Sequence, residues 1–90
     1  MNYVYVVYEN GSWDYEVTNK VRVFNTFEKA LETFKEFVET SKLDMAQWTK
    51  DIETEEEMSK KQQYAYFNIQ KSDDFTRFHD TIRVEKKEVE

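Results

Sequence analysis

Six apolar side chains between residues 27 and 38 constrain this chain more than any other feature. Phe27, Ala30, Leu31, Phe34, Phe37 and Val38 recur at intervals of three and four, so a helix gathers them on one face. Glu28, Glu32, Glu36 and Glu39 fall largely on the other side. Asn25 stands at the N-cap position, and Glu28 three residues later would complete a capping box. The pattern predicts a helix over 26–41. Each phenylalanine of the stripe is worth ~2–3 kcal/mol on full burial. Such a helix needs a second layer to cover it.

The flanking segments supply that layer. Tyr3 to Tyr8 is rich in Val and Tyr, types that fill a pleated sheet well. Asn10-Gly11 has the chemistry of a type I′ turn. Trp13, Tyr15 and Val17 then alternate with Asp14, Glu16 and Thr18, and Val21-Arg22-Val23-Phe24 resumes the extended pattern. Towards the other end, Ala65, Phe67 and Ile69 mark one face of a strand and Tyr64 and Tyr66 the other. Lys71-Ser72-Asp73-Asp74 reads as a turn. Phe78, Ile82 and Val84 share one parity of a last strand, and residues 86–90 read as a fraying tail. Residues 42–62 read as a connector with one or two short helical turns, including a capping box from Thr54 to Glu57.

The reading is one α+β domain over residues 1–90. A three- to four-stranded, mostly antiparallel sheet is covered on one face by a single main helix, in the order ββ-α-connector-ββ. The other face would then carry several of Tyr3, Tyr5, Tyr64 and Tyr66, side chains with an apolar ring and a polar tip. Solvent, the connector, a protein partner or a second copy of the chain are its candidate occupants.

Composition excludes much chemistry. With no cysteine there is no disulfide or thiolate metal site, and one glycine rules out the glycine-rich phosphate loops. His79 is the sole histidine, and its strand neighbour Asp80 points to the opposite face, so the two make poor joint ligands. None of the 19 acidic residues is marked by sequence as a catalytic carboxyl. No cofactor, metal or catalytic residue is expected, and the domain reads as a binder rather than an enzyme. The net charge of −6 opposes direct binding to nucleic acid or anionic lipid. The opening residues lack the length and basic flank of a leader or membrane span, which leaves the cytoplasm as the expected location.

The start Val4-Tyr5-Val6-Val7-Tyr8, the strand Val21-Arg22-Val23-Phe24 and the helix opening Asn25-Thr26-Phe27-Glu28-Lys29-Ala30 carry a family likeness. Over roughly its first 40 residues the chain resembles small uncharacterised phage and bacterial α+β proteins. That resemblance implies a compact domain of phage or mobile-element origin, a setting where host-inhibitory binders such as anti-CRISPR proteins are common. It carries over no active-site residue.

The expected function is a non-catalytic protein-interaction or regulatory domain, such as a phage accessory protein. Its candidate contacts are Tyr3, Tyr5, Tyr64 and Tyr66 with the acids Glu32, Glu36, Glu53, Glu55, Glu56 and Glu57. The sharper alternative is an acidic mimic of nucleic acid that inhibits a host nuclease or another nucleic-acid-binding protein. An ordinary solvated acidic surface is the competing explanation for the same glutamates.

Overall fold

A computed structural model of the chain describes residues 2–13, 16–72 and 78–89. Among them, β1 (Asn2–Trp13), β2 (Glu16–Phe24), α1 (Phe27–Trp48), β3 (Ile52–Ser59), β4 (Tyr64–Lys71) and β5 (Phe78–Val89) form an α+β fold. The strands make one antiparallel sheet in the order β2-β1-β5-β4-β3. The helix lies over β5, β4, β1 and β2, leaving β3 at the margin. The expected layering is present, with five strands rather than three or four.

The helix is longer than its stripe suggested. Ser41 and Met45 continue the buried series Phe27, Ala30, Leu31, Phe34 and Val38, carrying the helix to Trp48. There Thr49 turns extended and donates its N–H to the Met45 carbonyl at 3.1 Å. At the other end the N-cap is Thr26, not Asn25. Its hydroxyl accepts from the Lys29 N–H at 3.3 Å. Moving the cap by one puts Lys29 at the third helical position, so no capping box with Glu28 forms.

The rest of the expected connector is a strand. Residues 52–59 pair along the whole of β4, Ile52 opposite Lys71 and Ser59 opposite Tyr64. Thr54 and Glu57 therefore lie in a ladder and cap no helix. The unpaired edge of β4 overrides the weak strand propensity of four glutamates, and the same glutamates guard the new edge against further pairing. A turn at residues 60–63 joins β3 to β4. Gln63 adopts a left-handed conformation there, φ 57°, and its Oε1 accepts from the Tyr5 hydroxyl at 2.8 Å.

Asn10-Gly11 makes no turn. Both residues sit within β1, opposite Asn19 and Thr18 of β2. Asp14 and Tyr15, between β1 and β2, lie outside the described residues, as do Asp73 and Asp74 of the expected polar turn, whose first residue Lys71 ends β4. Instead of fraying, β5 continues to Val89, which pairs with Asn2.

Strand alternation decides the core. Tyr5 and Val7 of β1, Ala65, Phe67 and Ile69 of β4, and Ile82 and Val84 of β5 point at the helix and are buried. Tyr5 packs edge-on against Phe27, ring centroids 6.0 Å apart, so it belongs to the core and not to the open face. Among the described residues, no helix is long and apolar enough to cross a membrane.

Candidate functional site

The sheet has two faces with different contents. Among the described residues no element packs on the face away from α1, and its side chains follow from register. Val21, Tyr8, Arg83, Tyr66 and Glu57 form one row across all five strands. The next row is Asn19, Asn10, Thr81, Asn68 and Glu55. A third runs Val17, Ser12, His79, Gln70 and Glu53. The surface therefore grades from valine on β2, through polar groups, to carboxylates on β3.

Hydrogen bonds tie the polar middle to the acidic edge. Thr81 Oγ1 donates to Asn68 Oδ1 at 2.8 Å, Asn68 Nδ2 to Gln70 Oε1 at 3.3 Å, and Gln70 Nε2 to Glu53 Oε2 at 3.3 Å. The Tyr64 hydroxyl donates to Glu57, and this bond holds the phenol proton above its ordinary pKa of 10.0. Arg83 stacks over Tyr8, 5.0 Å from the ring centre, and pairs with Glu85 at 3.4 Å. Among the described residues, Glu55 and Glu56 have no ion-pair partner.

Of the contacts expected from sequence, Tyr64, Tyr66, Glu53, Glu55 and Glu57 converge on this face. Glu56 is exposed on the opposite side of the same strand. Tyr3 has the parity of Tyr5; it lies at the sheet end beneath Lys86, whose ammonium is 4.1 Å from its ring centre. Glu32 and Glu36 are exposed on α1, across the sheet from the β3 row, so the two sets of acids form no single surface. His79 lies on the open face, away from Asp80, as strand alternation requires.

The helix side holds a group that sequence reading passed over. Glu9 and Asp80, 6% and 4% exposed, are buried next to one another under α1. Gly11 makes the room. A Cβ there would stand 2.8 Å from Thr18 Oγ1, 2.9 Å from Asp80 Oδ1 and 2.9 Å from Glu9 Oε2. The only glycine of the chain thus serves a close approach, not a turn.

Thr18 donates to Glu9 Oε2 at 3.2 Å. Burial, followed by a hydrogen bond to Glu9 that only the protonated acid can make, pushes the Asp80 pKa up to about 8. Ser41 and Lys20 offset part of that rise. Even so, Ser41 Oγ and Asp80 Oδ1 are buried without a hydrogen bond of ordinary geometry. The residues Ser41 and Asp80 line an open cavity of about 270 Å³, with Trp13 and Phe37 among its walls. An acid protonated at neutral pH beside an orphan hydroxyl can give up a proton or accept a donor-rich cation.

Asp80 and Ser41 each left a signal in the sequence. Asp80 shares the parity of Phe78, Ile82 and Val84, and Ser41 lies between Val38 and Met45 at helical spacing. The chain matches no family model, and neither a curated protein nor a solved structure matches it significantly.

Proposed function

We propose that this is a protein-binding domain that works without catalysis, presenting the acidic half of its open sheet face to a partner with a basic surface. One observation carries the reading: Tyr64 and Tyr66 converge with Glu53, Glu55 and Glu57 on the uncovered side of β4 and β3. Half-buried tyrosines supply rigid contact area at low entropic cost. The alternate glutamates of β3 stand roughly 6–7 Å apart along the strand and attract lysine and arginine. A partner that normally grips nucleic acid is the sharper form of this reading, and a phage or bacterial regulatory protein is a natural setting for it.

The test is affinity capture from lysate of the source cell, repeated with Glu53, Glu55 and Glu57 reversed to lysine and with Tyr66→Ala. The same protein should be lost in both variants and at high salt. Competition by DNA or RNA would assign the partner's nucleic-acid groove. Capture that survives charge reversal at low salt contradicts the proposal.

A second copy of the chain is favoured as an additional occupant by the β2 edge. Antiparallel pairing of β2 with its counterpart about Asn19 sets Val17 opposite Val21 and Glu16 opposite Arg22. This joins exposed valines on the open face and opposite charges on the other. Light scattering over a dilution series checks it. A dimer weakened by Val21→Lys is expected, and a monomer at every concentration rejects it.

A further inference from the structure

We propose that the cavity under α1 binds a slender organic ammonium ion, with Glu9, Asp80 and Ser41 as its polar floor and Trp13 and Phe37 as its walls. The shared chemistry is the charged end of a polyamine or of a lysine side chain. The proposal is independent of the open face.

The buried oxygens of the cavity carry it. Ser41 and Asp80, 3% and 4% exposed, line the cavity, and their Oγ and Oδ1 are buried without a hydrogen bond of ordinary geometry. A buried polar atom without a partner is destabilising, and a ligand that donates to it removes the penalty. An ammonium carries three N–H donors and no acceptor, which fits this inventory of oxygens.

The walls suit the stem of such an ion. Lys20 lines the same cavity with its ammonium 5.6 Å from the Phe37 ring centre, so the site already stabilises a cation against an aromatic wall. Lys20 nonetheless stops short of an ion pair with either buried acid. The floor is left for a second, mobile ammonium. Glu36 and Asp44, on the helix side of the cavity, add negative field. A bare metal ion suits it less well: among the described residues, no three acidic or imidazole groups converge as metal ligands.

Binding is coupled to a proton. At neutral pH the Asp80 carboxyl is protonated, held so by burial and by Glu9 of β1. The other charged groups facing it are Lys20 of β2 and Glu36 and Asp44 of α1. An arriving ammonium displaces that proton to solvent, leaving an ammonium–carboxylate pair in its place. Affinity therefore rises with pH up to about 8.

The test is calorimetry on the whole chain titrated with putrescine, Nα-acetyl-lysine amide and calcium, in buffers of different ionisation enthalpy. Saturable amine binding with proton release is expected, weakened about tenfold or more by Asp80→Asn and by Ser41→Ala. Glu55→Gln should leave it unchanged. Stronger binding of putrescine points to a free polyamine, and stronger binding of the lysine amide to a protein side chain. Asp80→Asn keeps the shape of the side chain, and circular dichroism of each variant separates lost binding from lost folding. No saturable amine binding, binding without proton release, binding that survives both cavity variants, or preference for calcium would each overturn the proposal.

Discussion

One sheet treats its carboxylates in two ways. On the open face Glu53, Glu55 and Glu57 project from an edge strand into water, where a charge needs no partner. On the helix face Glu9 and Asp80 are shut in beside one another, and Asp80 responds by keeping its proton to about pH 8. Identical chemistry thus has opposite energetics a few strands apart. The exposed acids can be changed with little effect on folding, whereas the buried ones oppose it. A small domain that keeps two acids in its interior carries a burden that packing alone does not explain, and such sites are where function is sought.

Substitutions on the two faces should therefore differ in effect. The largest effect belongs to the covered face: Phe34→Ala should destabilise the fold by about 3–5 kcal/mol in urea denaturation, because Phe34 is the buried centre of the helix stripe.

Next comes Asp80→Asn, which should stabilise the protein in mildly alkaline solution by roughly 2–4 kcal/mol, since no charge remains to be buried beside Glu9. The pH profile gives the sign. An acid whose folded pKa lies above its unfolded value binds its proton more tightly in the folded state. Its stabilising contribution is full below about 3.8 and is lost as pH rises through about 8. Wild-type stability should decline across that window, and Asp80→Asn should flatten the decline.

Gly11→Ala is smaller, destabilising by about 1–3 kcal/mol, because the added methyl meets Thr18, Glu9 and Asp80 at once. On the open face, Glu55→Lys should change thermal stability by no more than about 0.5 kcal/mol. Glu57→Gln should lower the Tyr64 pKa towards 10.0, read as phenolate absorbance during alkaline titration. An open-face variant as damaging as Phe34→Ala or Gly11→Ala would erase the contrast.

The sequence made one side of this picture readable. The spacing of Phe27, Leu31 and Phe34, and the alternation of Ala65, Phe67 and Ile69, report a helix and a strand facing one core. Tyr64 and Tyr66 follow on the opposite face by alternation alone. Other parts depend on distant neighbours. Four glutamates in β3 hide a strand that exists because β4 offers a free edge. Asn10-Gly11 has turn chemistry, yet Gly11 is needed in mid-strand for a contact with Asp80, some seventy residues later. Asp80 itself carried a legible sign, since it interrupts an apolar parity. Only the fold places Glu9 beside it.

Carbon-detected NMR titration of the Asp80 carboxyl decides the contrast, because it reads the proton on the group in question. A midpoint near 8, moving downward when putrescine is added, is the expected result. A midpoint at the ordinary value of 3.8 would place Asp80 in water and contradict the buried pair on which the helix-face site depends.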